Sequence, residues 1–155
     1  MRTLTARRLT PERIAQAYPV IRIALPDLSF DAWCRFAQEQ IAGDDEPPRG
    51  IVTVDSEQDY IVGLGAYRLE RDLQDDRVLI ANHFVAVDLI RREVVAETLA
   101  RELESVAKQH RCSALHTHLP GRGTQTAPNW LIELMANQGH KVDKLKLRKC
   151  LSGSD

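Results

Sequence analysis

The chain has 155 residues, of which 43% are hydrophobic and 28% charged, with a net charge of −1. That length supports one sizeable core and is short for two, so a single domain over residues 1–155 is expected. The balanced charge argues against bulk nucleic-acid binding and against electrostatic attachment to a membrane. No run approaches eighteen apolar residues and the start MRTLTARRLTPERIA lacks the apolar centre of a secretion signal, so the expected location is cytoplasmic.

Thr3 to Leu9 reads as a short first strand. Thr10 followed by Pro11 is a helix start, a capping hydroxyl with proline in the first turn, and the helix is expected to run to about Ala24. Leu25, Pro26 and Asp27 break it. Ser29 can then cap a second helix, FDAWCRFAQEQIAG, with Phe30, Trp33, Phe36 or Ala37 and Ile41 on one side. Asp44 to Gly50, with two prolines and three acids, is a loop by composition. Ile51 to Val54 should pair with Tyr60 to Leu69 across SEQD, and the polar run Glu70 to Asp76 should turn the chain into the next strand. Gly63 and Gly65 lie inside a strand with no helix behind them, so they read as close packing or a bulge rather than a phosphate loop.

Arg77 to Val87, rich in β-prone apolar residues, reads as a strand buried on both faces. A helix follows whose stripe is Val95, Leu99, Leu103 and Val106, with Glu97, Arg101, Glu102, Glu104 and Lys108 on the other side. Ser113 to Leu119 is a short strand, parallel to the central one if the crossover is right-handed. His116 and His118 share one face of it. Two histidines can ligate a metal, but nothing in the spacing supplies a third ligand, so no metal site is expected. Gly121 to Thr124 make a polar loop. Pro128 starts a last helix, NWLIELMANQ, ending at Gly139. In the remaining HKVDKLKLRKCLS, Leu145 and Leu147 alternate with Lys144, Lys146 and Arg148, which predicts a half-exposed strand with a basic face. The three cysteines, Cys34, Cys112 and Cys150, have no CxxC spacing and read as small buried hydrophobes, Cys112 being the one with a conceivable nucleophilic role.

The junction between the central strand and the long helix, Asp88 to Glu93, is the best functional candidate. A first helical turn has backbone N–H groups without intrahelical partners and carries the positive end of the helix dipole, so it favours phosphates. Arg91 and Arg92 add two guanidinium groups there. The plain structural alternative is that Asp88 caps the helix and both arginines are solvated.

The element order and this junction resemble the GNAT superfamily of acyl-CoA-dependent N-acetyltransferases. The signature there is Gln or Arg, two residues, Gly, one residue, then Gly or Ala, and this chain has Arg91, Arg92, Glu93, Val94, Val95, Ala96. Arg and Ala match; Val94 replaces the central glycine. In the last helix, Leu134 and Gly139 match the family's Leu-Tyr, three residues, Gly-Phe. Met135 stands at the position of the tyrosine that protonates the leaving thiolate, and His140 stands for the phenylalanine.

The resemblance implies an α/β domain with a mixed, mostly antiparallel sheet, two splayed parallel central strands and flanking helices. It implies acetyl-CoA as co-substrate, held by backbone groups of Val85, Ala86 and Val87 along its pantetheine arm and by Arg91, Arg92, Glu93, Val94, Val95 and Ala96 at its diphosphate. Asn129 lies one position from an asparagine found near the cofactor in many members. The acceptor would be an amine of a small molecule or protein, its side shaped by the first two helices, with Trp33 and Phe36 as pocket residues unless they pack in the core. His83, on the central strand, is the candidate base because imidazole works near pH 7 with little tuning; Tyr67 and Glu70 are alternatives. Two other classes stay open: a GNAT-fold regulator that binds acetyl-CoA without turnover, and a cofactor-free module that assembles with itself, for which a homodimer is the simplest form.

Overall fold

The computed structural model describes residues 3–42, 48–88, 90–119, 127–144 and 146–152. Five strands lie in chain order across one sheet: β1 (Thr5–Arg8), β2 (Arg49–Asp55), β3 (Ile61–Asp72), β4 (Asp76–Ala86) and β5 (Ala114–Thr117). Neighbours are antiparallel except β4 and β5, which run parallel in the register Val78↔Ala114 to Ala81↔Thr117. The helices are α1 (Ile14–Ala24), α2 (Phe30–Ala42), α3 (Arg92–Gln109) and α4 (Asn129–Asn137). This is the expected mixed sheet, and α3 spans the parallel crossover. Among the described residues, no helix is long and apolar enough to cross a membrane.

The pleat sends alternate residues to opposite faces. On one face Val52, Val54, Tyr67, Leu69, Leu79 and Ala81 meet the α3 stripe, Val95, Leu99, Leu103 and Val106, together with Leu131 and Met135 of α4. The four stripe residues are at most 2% exposed, each worth about 2 kcal/mol of apolar burial. On the other face Ile51, Ile61, Leu64, Ala66 and Val85 meet Ile14, Ala17, Val20 and Ile21 of α1 and Trp33 and Ala37 of α2. Trp33 is therefore a core residue, its indole N–H donating to the Ile14 carbonyl at 2.8 Å. At one glycine on β3 the helix comes very close. A Cβ at Gly63 would lie 2.8 Å from Val95 Cγ1 and 3.2 Å from Val54 Cβ, so the missing side chain lets α3 seat on the sheet.

Several boundaries differ from expectation. Thr10 makes no side-chain cap bond, and Pro11–Arg13 form a single 3-10 turn before α1; the proline restricts the first turn, but the hydroxyl adds nothing. Ser29 does cap α2, its Oγ accepting from the Ala32 amide at 3.1 Å. The polar run 70–76 is mostly strand, since β3 continues to Asp72 and β4 begins at Asp76, with Asp72 accepting the Gln74 and Asp75 amides to close the turn. Cross-strand pairing outweighs polar composition there. Strand β2 already begins at Arg49, inside the expected loop, while residues 43–47 and the 121–124 loop lie outside the described residues.

The expected C-terminal strand does not form: residues 140–144 and 146–152 contain no strand, and Leu145 lies outside the described residues. Alternation needs a buried face to become a strand. Here Val142 and Leu147 are 90% and 86% exposed, and the neighbouring β5 is only four residues long.

Candidate active site

The β3–β4 ladder is broken once, beside His83. Leu64 pairs with Val85 and Ala66 with Asn82, so the single residue Gly65 stands opposite two, His83 and Phe84. That is a β-bulge, and His83 takes its left-handed position with φ 57°. The bulge turns the imidazole toward α2, where its ring meets Phe36 edge-on with centroids 5.5 Å apart. The residue is exposed as a whole, but its ring is partly desolvated, and this lowers its pKa below 6.5; Lys146, Arg68 and His118 push the same way. His83 is therefore a neutral base at pH 7. Phe36, 37% exposed, faces this imidazole, whereas Trp33 does not leave the core.

Beyond the bulge the two parallel strands part. Their pairing ends at Ala81↔Thr117, followed only by the His118 amide on the Ala81 carbonyl at 2.8 Å, while β4 continues to Ala86. Residues 82–86 thus have no strand partner on the β5 side among the described residues. Val85 is buried against α1 and α2, Ala86 and Val87 are half-buried, and the Val87 amide donates to the Val62 carbonyl at 2.9 Å. An extended chain with its own donors and acceptors fits such an open backbone edge.

At the junction, Asp88 does not cap α3 itself. Its Oδ1 accepts the amides of Ile90 and Arg91, both at 2.9 Å, and its Oδ2 pairs with Arg91 Nε at 3.5 Å. Those two amides hold its pKa below the ordinary aspartate value. Arg91 is thus committed to Asp88. Arg92 stacks over Trp130 of α4, its guanidinium carbon 4.6 Å from the ring centroid. Val95 donates its amide to the Arg91 carbonyl at 2.9 Å, so Arg92, Glu93 and Val94 supply the amides without an intrahelical partner. Val95 and Ala96 are fully buried with their side chains in the core, and Val94 is 51% exposed, outside it. Asn129, the first residue of α4, is exposed next to Trp130.

The other candidates separate cleanly. Tyr67 faces the α3 side of the sheet, away from His83, and Glu70 is tied to Arg68 at 2.5 Å. Met135 is 3% exposed, buried with Leu131 and the α3 stripe, so the position matched to the tyrosine is a core position. His140 Nε2 lies 3.4 Å from Thr117 Oγ1 beside β5. Cys34, Cys112 and Cys150 are half-buried rather than buried, and desolvation raises the Cys112 pKa, which keeps it a thiol.

His116 pairs not with His118 but with the hairpin turn, its Nε2 lying 3.0 Å from Asp75 Oδ2. Asp72, Asp75 and His116 have ligand atoms within 4.8 Å of one another. Because Asp72 already accepts two turn amides, the group locks the β3–β4 turn onto β5.

No family profile matches the sequence, and no curated protein matches it. Solved structures do. An aminoglycoside N-acetyltransferase solved in complex with CoA superposes with a TM-score of 0.74 at 11% identity, over 97% of either chain. A transcriptional regulator from Bacillus halodurans C-125 gives 0.78 at 12% identity, over 96% of this chain and 100% of the other. A GNAT family acetyltransferase of Staphylococcus aureus gives 0.71 at 13%, over 96% and 99%. At these identities the likeness establishes the fold: the chain has the GNAT N-acetyltransferase fold.

Proposed function

We propose that the protein transfers an acetyl group from acetyl-CoA to an amine, with His83 as general base. The observation that carries this reading is the gap after Ala81↔Thr117, an open β4 edge next to a neutral imidazole. Residues 82–86 accept an extended arm along that edge. The amides of Arg92, Glu93 and Val94, without a partner among the described residues, meet a diphosphate at its far end together with the stacked Arg92 guanidinium. One solved protein of this fold was obtained with CoA, which supports the choice of co-substrate.

The residues then divide the work as follows. An alkylamine has a pKa of about 10.4 and arrives protonated, so it must lose one proton before attack. His83 takes it. The nitrogen bonds to the thioester carbonyl carbon, a backbone N–H of the open edge meets the oxygen as it becomes negative, and the carbon–sulfur bond breaks as the carbonyl re-forms. The second amine proton leaves to water, or to His83 once the imidazolium has passed the first proton to solvent. CoA departs as thiolate, tolerable for a thiol of pKa about 8.5, because Met135 has no proton to give.

Binding without turnover is the second reading. The burial of Met135 and the absence of a proton donor at that position favour it, and one structural relative is described as a transcriptional regulator. Calorimetry with acetyl-CoA, followed by CoA release measured with a thiol reagent across a panel of amines, separates the two. The enzyme reading expects binding, turnover, and a fall in kcat of about a hundredfold or more in His83→Gln. Binding with no release from any amine would leave the regulator; no heat with acetyl-CoA at millimolar concentration would end both.

A further inference from the structure

The side of the site that faces α2 carries two cations, Arg68 and Lys146, beside two imidazoles whose pKa values are lowered. Arg68 lies two residues beyond Ala66 on β3, and Ala66 belongs to the α1–α2 core, so the pleat puts Arg68 on that same face, opposite Ile80. His118 continues β5 beside Ala81, and the His83 ring sits against Phe36 of α2. Arg68, His83 and His118 therefore come from three adjacent strands. The charges of Lys146 and Arg68 both act on His83 and on His118. Against them stands one acid acting on either imidazole among the described residues, Glu70, whose Oε1 takes the Arg68 Nε–H at 2.5 Å. The rest of the Arg68 fork faces outward, half exposed, and Lys146 makes no ion pair among the described residues.

A simple amine is a cation in water, and such a surround repels it. The same field helps an amine lose its proton once there, as it does for the two imidazoles. Both effects are reconciled by a substrate that brings its own negative charge. We propose that the acceptor is a small amine carrying a carboxylate or phosphate, held by Arg68 and Lys146 while its nitrogen faces His83. Arg68 suits this role because a planar fork meets an oxyanion with two parallel hydrogen bonds. The inference rests on the acyl-transfer reading.

The test uses matched probes that differ in the anion alone: ethanolamine against ethanolamine phosphate, and β-alaninamide against β-alanine. Initial rates are measured with acetyl-CoA, and the imidazole C–H resonances of His83 and His118 are followed during titration with each amine. The anionic member of each pair should be preferred in kcat/KM by about tenfold or more, mostly through KM, and Arg68→Gln with Lys146→Gln should bring the two members within about twofold. Equal or better use of the neutral member by the parent protein overturns the inference and leaves acyl transfer standing. If no amine is acetylated but ethanolamine phosphate still shifts the two imidazoles, and the double variant abolishes the shift, the anion site stands and acyl transfer falls. Absence of both turnover and shift overturns both.

Discussion

Gly63→Ala tests how the sheet positions the helix start. A Cβ at Gly63 would stand 2.8 Å from Val95 Cγ1 and 3.2 Å from Val54 Cβ, where carbon atoms normally rest about 3.5–4.0 Å apart. Either β2 or the first turn of α3 must yield by roughly 1 Å, and β2 is held between two neighbours. Overpacking of this kind costs about 1–3 kcal/mol, from which about 0.5–1 kcal/mol is recovered because alanine has less backbone freedom to lose. The net expectation is a loss of about 1–2 kcal/mol in urea unfolding at unchanged m-value. Val95 lies less than one helical turn from Arg92, so the displaced turn should also weaken acetyl-CoA in calorimetry. Gly65→Ala is the control, since its Cβ would meet Leu103 and Leu99 at an ordinary 3.5 Å, and it should change stability by less than about 0.5 kcal/mol. Equal stabilities for the two variants would refute the close-approach argument. A destabilised Gly63→Ala that binds acetyl-CoA like the parent would refute the link from Val95 to the site.

Three further outcomes are expected. Asp55, wholly buried, bonds Arg7 Nε at 2.6 Å and Arg13 Nη1 at 2.9 Å; Asp55→Ala should cost about 3 kcal/mol, the low end for a broken buried pair because Arg7 can return to water, and a urea-measured loss under about 1 kcal/mol would contradict that. Because the His83 pKa is lowered, its base form predominates at pH 7, so the limb it adds to kcat/KM should be centred below pH 6.5; the unfolded chain takes up that proton first, so this residue's contribution to stability is present above about pH 6.5 and is lost as pH falls below it. A rate limb centred above 6.5 that disappears in His83→Gln would reverse the sign of this argument. Val94→Gly should raise acetyl-CoA affinity about fivefold, since removing an exposed β-branched side chain opens the first turn, at a stability cost of up to about 1 kcal/mol; equal affinities in side-by-side calorimetry at one salt concentration would show that this position does not control the site.

What could be read from the residues followed from periodicity. The spacing of Val95, Leu99, Leu103 and Val106 demands one buried face whatever the partner, and all four are buried. Ser29 capped its helix because its amide target is three residues away on the same chain. Contacts between distant segments were not legible. Nothing in the sequence ties Asp55 to Arg7 and Arg13, or places Trp130 beneath Arg92, because those pairs exist only after the sheet and helices have assembled. The C-terminal alternation was misleading for the same reason: a period of two is necessary for a half-buried strand, but only a neighbouring edge makes it one. Met135 was read from its place in a motif, while its orientation is set by the face of α4 that packs on α3.

The backbone at His83 bears on the role proposed for this residue. Among the described residues, four non-glycine residues have positive φ: Asp59, Asp76, His83 and Arg111. Asp59 and Asp76 stand at hairpin turns and Arg111 just beyond the end of α3, where chain reversal requires the left-handed conformation. His83 alone lies in the interior of a strand, Asp76 being the first residue of β4. Left-handed backbone costs a side-chain-bearing residue about 1 kcal/mol more than glycine, and glycine is available to any chain that needs only the extra residue of a bulge. The side chain must then contribute something glycine would not, and burial does not account for it, since His83 is exposed and touches Phe36 at a ring edge. What remains is the imidazole itself, aimed to the face of α2 at the point where β4 leaves β5. Strain held at one residue beside an open backbone edge is the arrangement expected of a group that must meet a substrate.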